Sequence, residues 1–251
     1  MAVEVVTTLH LDGYNLYGKF LKTWCLYFPT DWKITYYAEN HNPELDDRIN
    51  VVDFNTTCPE WLDFYNHIKS KTENLKDKKK LNWYKKALRW SFKMYTVLHA
   101  LNNSKERYVV WMDSDVYAKK HPTENWIETV LNGKCFAGQL EHVKGFPHIE
   151  SGILIFDTHH SDINIVKKWI TEGYVDKKIL KEQKAWDGAW LGKLVTTQPI
   201  QWSNINMLIT SNRALAFSGK ALAWLVHVVG DSKFDPSYSG RSGRTKDNEL
   251  I

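Results

Sequence analysis

The run Tyr108-Val109-Val110-Trp111-Met112 constrains the fold more than any other stretch of this chain. Five uncharged residues of strand type in a row read as a buried β-strand. The run stops at Asp113-Ser114-Asp115. In an open α/β sheet, ligands sit beyond the carboxyl ends of the strands. Two carboxylates one residue apart at such a place form a hard oxygen site. It suits Mg²⁺ or Mn²⁺ and, through the metal, a diphosphate. Asp-x-Asp is a common pattern in ordinary loops, so the rest of the chain has to decide between the two readings.

Strand and helix patterns alternate along the sequence. Val3 to Leu9 reads as a first strand, Gly13 to Gly18 as a loop with two tyrosines, and Tyr17 to Tyr27 as a helix. Lys33 to Ala38 alternates like a second strand, and Ile49 to Phe54 is a short third one. Pro59 suits the first turn of a helix. From Trp83 to Leu101 the residues Trp83, Ala87, Trp90, Met94, Val97 and Leu101 recur at intervals of four and three, the stripe of an amphipathic helix. Lys85, Arg89 and Lys93 form a second, basic stripe on a different face. This alternation predicts an α/β fold, a mixed, mostly parallel sheet with helices on both faces.

Three later segments add chemistry. Glu150-Ser151-Gly152 precedes Ile153-Leu154-Ile155-Phe156, a second buried strand. Trp186-Asp187-Gly188-Ala189-Trp190 falls in a helix ending near Leu194. His227 lies in the apolar strand Trp224 to Gly230, after which periodicity is lost. The expected organisation is one catalytic domain over 1–230 and a tail over 231–251 that closes over a ligand.

At 251 residues and 43% hydrophobic content, the chain can build one large α/β core. The mean hydropathy of −0.45 and the lack of an apolar stretch near 20 residues argue against a membrane span. The N-terminus has no basic leader and reads as a strand, so the expected location is the cytoplasm, or the host cytoplasm if the source is viral. Cys25, Cys58 and Cys135 lack zinc spacing and read as reduced structural thiols. The net charge of +4 is local in origin: eight lysines lie between Lys69 and Lys86 against Glu73 and Asp77 alone. Such a run is a solvated face or a surface that tracks phosphates.

Taken together, these motifs resemble the GT-A nucleotide-diphospho-sugar glycosyltransferases, from the first strand to the tail. They are similar to a subgroup with an Arg/Lys-bearing helix before the Asp-x-Asp strand and a Glu-Ser/Thr-Gly entry to the next core strand. The resemblance implies that Asp115 ligates Mn²⁺ or Mg²⁺ directly. Asp113 would serve the ribose or the metal shell, Ser114 the donor, and His227 would be a third metal ligand. It implies a nucleoside-diphosphate sugar donor, a UDP-sugar by default. Thr7, Thr8 and Tyr14 would hold base and ribose, Arg89 and Lys93 would approach the diphosphate, and Lys233, Arg241 and Arg244 would pair with phosphate from the tail. Glu150 and Asp187 are the carboxylates expected near the sugar, one binding hydroxyls and one serving as base on the acceptor. Trp186 and Trp190 are candidates for a stacking wall. Retention and inversion both stay open.

The acceptor is open as well. The lysine segment, with Lys78, Lys79 and Lys80 at its centre, makes DNA one candidate. Hydroxymethylated cytosine in phage DNA is an example, and such a base has to be flipped out of the duplex. A glycan, lipid or protein acceptor is the alternative. Two other classes compete. A haloacid-dehalogenase-type phosphohydrolase places its Asp-x-Asp on the first strand of the core, unlike this chain. A non-catalytic carbohydrate- or DNA-binding module would have no need of metal-dependent nucleotide binding.

Overall fold

The computed structural model describes residues 2–41, 43–143, 145–182, 186–205 and 225–227. The main strands are β1 (Val3–His10), β2 (Lys33–Glu39), β3 (Ile49–Asp53), β4 (Tyr108–Met112), β6 (Phe136–Val143), β7 (Phe146–Asp157) and β8 (Trp202–Asn204). They form one sheet in the order β3-β2-β1-β4-β7-β6-β8. The first four strands in that order are parallel. Parallel neighbours need long crossovers. α1 (Leu11–Tyr27) carries the chain from β1 to β2, and α2 (Phe54–Thr57), α3 (Glu60–Thr72) and α4 (Lys78–Asn103) together carry it from β3 to β4. β7 then enters antiparallel between β4 and β6, and β8 joins β6 in parallel. The short strands β5 (Val116–Ala118) and β9 (Leu225–His227) pair antiparallel in a separate ribbon. The mixed, mostly parallel sheet is the one expected.

Side-chain alternation sorts the core into two layers, because successive residues of a strand point to opposite faces. Val109 and Trp111 pack with α3, α4, α6 (Ile163–Ile170) and α7 (Asp187–Thr197). Tyr108, Val110 and Met112 pack with α1 and α5 (Trp126–Leu131) on the other face.

Several boundaries differ from the expected ones. The loop over Gly13–Gly18 is helix, and α1 starts directly at Leu11. Each glycine costs a helix about 1 kcal/mol. Burial of Phe20, Leu21 and Trp24 outweighs that cost. Trp24 also donates from Nε1 to Val116 O at 2.9 Å. α4 begins at Lys78 rather than Trp83, because the Asp77 carboxylate caps the N–H groups of Lys79 and Lys80 at 2.9 and 3.2 Å. β7 begins at Phe146, seven residues before Ile153, because it forms a hairpin with β6.

That hairpin carries an irregularity. Ala137 opposes Ile155 and Gln139 opposes Glu150, so two steps on β6 face five on β7. A bulge of this kind re-aims side chains. Ile149 therefore shares the α4 face with Leu154 and Phe156, while Ile153 and Ile155 point to the opposite face. Among the described residues, no helix is long and apolar enough to cross a membrane.

Candidate active site

The Asp113–Asp115 segment leaves β4 in a tight turn. Val116 N donates to Asp113 O at 2.9 Å, and Asp113 N donates to Gly152 O at 2.8 Å, which ties the turn to β7. Asp113 keeps the parity of Trp111 and so faces α4. Trp111 Nε1 donates to Asp113 Oδ1 at 2.8 Å. Ser114 and Asp115 are both buried, Asp115 at 4% exposure.

Lys93 is the hub of the cluster. Its ammonium stands 2.8 Å from Asp113 Oδ1 and 3.0 Å from Asp187 Oδ2. It also donates to Ser151 Oγ at 2.8 Å and Ser151 O at 3.1 Å. Ser151 Oγ in turn donates to Asp187 Oδ2 at 2.6 Å. Burial works against the charge on Lys93, but Asp113 and Asp187 overcome it and hold the pKa above the ordinary lysine value. An ammonium has three N–H donors, and here those donors are met by Asp113, Asp187 and Ser151. Lys93 therefore positions the two aspartates rather than reaching out to phosphate.

Asp187 reaches this cluster through two glycines of α7. A Cβ at Gly188 would lie 2.4 Å from Ile149 O, and one at Gly192 would lie 2.4 Å from Pro147 O. Without side chains at these positions, the helix lies directly on β7. His148 fills the space left at Gly188 and accepts a hydrogen bond from Trp186 Nε1 at 2.9 Å through Nδ1. The Gly188-x-x-x-Gly192 spacing was the available sequence signal for this contact.

Glu150 is half-buried, and its Oε1 accepts from Gly152 N at 3.2 Å, so it braces the bulge next to the cluster. Thr7 is fully buried in β1, three residues before the strand ends at His10. Thr8 donates to Tyr37 O at 2.8 Å and Glu39 Oε1 at 3.0 Å. Glu39 escaped notice in the sequence. It is buried at the end of β2, and burial raises its carboxyl pKa to about 7 despite the opposing hydrogen bond from Thr8. Tyr14 sits in the first turns of α1 rather than in a loop, and its side chain lies outside the described atoms. Arg89 is exposed, with its guanidinium 6.0 Å from the Trp90 ring centre, apart from the Lys93 cluster. Lys78, Lys79 and Lys80 are exposed in the first turn of α4.

Trp190 is a core residue, not a free stacking wall. It stacks on Trp169 with ring centres 4.7 Å apart, and each indole N–H donates to the other's carbonyl, at 2.9 and 3.0 Å. Trp186 is half-buried against His148. The backbone of His227 pairs with Val116, the residue after Asp115. Its side chain lies outside the described atoms, as do Lys233, Arg241 and Arg244 and the whole tail. Among the described residues, no group of three His, Cys, Asp or Glu side chains is gathered for a metal.

No protein-family model matches the sequence, and no curated protein matches it. Solved structures do match in shape. Mouse xyloside xylosyltransferase 1, in its apo form, superposes with a TM-score of 0.53 at 10% identity, covering 81% of this chain and 85% of that one. An active-site mutant of LgtC gives a TM-score of 0.50 at 12% identity, covering 96% of this chain and 91% of the other. With the parallel sheet, the inserted antiparallel β7 and the carboxylate turn after β4, these matches establish the architecture: the chain has the GT-A fold of nucleotide-sugar glycosyltransferases.

Proposed function

We propose that this protein is a metal-dependent glycosyltransferase, moving a sugar from a nucleoside-diphosphate donor to a hydroxyl acceptor through one catalytic domain over 1–230. The observation that carries the reading is the turn at Asp113–Asp115, set at the carboxyl end of the central strand β4, bound to β7 and followed directly by β5, which pairs with β9. Its donor set suits Mn²⁺ or Mg²⁺: a buried Asp115 carboxylate, a second carboxylate two residues away, and the strand of His227 paired beside it. Asp115 and His227 would hold the ion. Asp113, with Oδ1 held by Trp111 and Lys93, serves the ribose or the metal shell. When bound, such an ion stabilises the charge that develops on a departing diphosphate.

The chain's own residues do the rest. The carboxyl-terminal half of β1 at Thr7 and Thr8, with Glu39 behind Thr8, forms the side of the crevice where a base and ribose bind. UDP is the default nucleotide. Lys93 fixes Asp187 where it can bind sugar hydroxyls, and Glu150 is the carboxylate left to take the acceptor proton. Lys233, Arg241 and Arg244 would close on phosphate from the tail.

DNA is a second reading of the acceptor, favoured by one observation. Three lysines occupy the first turn of α4 against the single Asp77 carboxylate at its N-cap. That placement opposes the helix dipole, at roughly 0.3–1 kcal/mol per charge, so a polyanionic partner would offset its cost. The residues from Lys78 to Lys93 carry this turn about 22 Å along the helix axis from the carboxylate cluster.

Calorimetry tests the core of the proposal. UDP should bind in the presence of Mn²⁺ and not in EDTA, and Asp115→Ala should lower that affinity at least 100-fold with unchanged circular dichroism. Full turnover by Asp115→Ala would refute it.

A further inference from the structure

A cleft of about 480 Å³ opens beside α7, apart from the Lys93 cluster. Three elements line it: Phe146 and Pro147 at the tip of the β6–β7 hairpin, Lys181 and Glu182 at the end of a 3₁₀ turn over Lys178–Lys181, and Trp190 and Lys193 with the last turn of α7. Phe146 leaves 44% of its surface exposed, one of the few large hydrophobic side chains so open among the described residues. The same cleft is lined by an ion pair, Lys193 Nζ to Glu182 Oε1 at 2.9 Å. Both partners are half-exposed, at 45% and 35%, so the pair contributes little to the fold. It does present N–H donors and carboxylate lone pairs at the cleft.

An apolar ring surface and a mixed donor–acceptor pair lining one cleft have the chemistry of a sugar site. A pyranose lays its C–H face on the ring, while one hydroxyl donates to the carboxylate and a neighbour accepts from the ammonium. Other ligands fit less well. The cleft follows α7 into its last turn, where the helix dipole is negative, and Glu182 already neutralises Lys193, one of the two lining lysines with Lys181, so the cleft offers a phosphate little net positive charge. An acyl chain would bury an ammonium and a carboxylate away from water. Trp190 lies one helical turn from Asp187, and Thr197 about 15 Å from it along the axis. That is the reach of a short oligosaccharide extending from the transfer point.

We propose that this cleft is a subsite for a sugar ring of a saccharide acceptor, placed outside the transfer centre. The inference rests on the transferase reading for its role in catalysis, and on the cleft alone for binding. The test is saturation-transfer NMR with the methyl glycosides of glucose, galactose, xylose and N-acetylglucosamine, on wild type, Phe146→Ala and Glu182→Gln, with UDP–Mn²⁺ affinity measured in parallel. At least one glycoside should bind wild type, and each variant should weaken it tenfold or more while UDP–Mn²⁺ affinity stays within twofold. Absence of glycoside binding, or equal binding by the variants, would overturn the subsite. Glycoside binding that the variants lose, in a protein that never binds UDP–Mn²⁺, would uphold the subsite and overturn the transferase reading.

Discussion

Replacing Lys93 by Met removes one cation from between two carboxylates. The ammonium stands 2.8 Å from Asp113 Oδ1 and 3.0 Å from Asp187 Oδ2, and the side chains of Lys93 and Asp187 are 10% and 2% exposed. At an effective dielectric constant near 20, each contact gives roughly 6 kcal/mol of Coulomb attraction. Most of this is offset by the cost of taking the charges out of water. The effect of the mutation is therefore set by what stays behind: two carboxylates that share a site without a cation. Breaking a buried pair in this way costs about 3–5 kcal/mol. In a chain of this size, each kcal/mol moves Tm by about 2–4 °C. Lys93→Met should lower Tm by roughly 6–20 °C at pH 7. Protonation of one carboxylate relieves the repulsion, so the deficit should shrink on acidification. The double variant Lys93→Met/Asp187→Asn should regain more than half of the loss, since it removes one of the two like charges. Urea denaturation and thermal melting of the three proteins measure this. A loss below about 1 kcal/mol, or a double variant no more stable than the single one, would refute the buried network.

Three further outcomes follow from other sites. Burial lifts the Glu39 carboxyl from 4.5 in the unfolded chain to about 7 in the fold. The unfolded state therefore releases its proton first, and stability falls as pH rises between those two values. Glu39→Gln removes this loss, so it should gain on wild type by up to about 3 kcal/mol between pH 4 and pH 8; stability curves that run parallel across that range would contradict it. Gly192→Ala would gain about 1 kcal/mol from helix propensity alone. The added Cβ lies 2.4 Å from the backbone oxygen of Pro147. The variant should instead lose about 1–3 kcal/mol together with donor hydrolysis, and a raised Tm would show that α7 does not lie so close to β7. If DNA is the acceptor, Lys78→Glu, Lys79→Glu and Lys80→Glu combined should raise its KM. Wild-type binding should then weaken with salt at a slope near −0.9 per phosphate neutralised, and salt-insensitive binding would return these lysines to the role of a solvated turn.

Much of the architecture was legible from local pattern. The Tyr108–Met112 run is a central strand because a strand with neighbours on both sides and helices above and below has no water-facing residue. The stop at Asp113 marked the carboxyl end of the strand for the same reason: carboxylates are tolerated where the buried run gives out. Ala87, Met94, Val97 and Leu101 of the apolar stripe in α4 are all buried, as a period near 3.6 requires.

Contacts between distant segments were not legible, because no local period encodes them. Lys85, Arg89 and Lys93 form one basic stripe in sequence, yet only Lys93 lies level with the carboxyl end of β4, where two acids can neutralise it. Ser151 faces that ammonium because a bulge in β7 reverses the parity of its strand. Glu39 meets Thr8 only through parallel pairing of β1 with β2, a contact 31 residues apart. Asp187 enters the site because Gly188 and Gly192 let α7 lie against β7, and the aromatic surface of Trp190 is taken by Trp169. The sequence determined which residue types lie at the carboxyl end of the sheet, since strand period and termination are local properties. Tertiary packing decided which of them touch, since pairing register, helix approach and burial of charge depend on segments tens of residues apart.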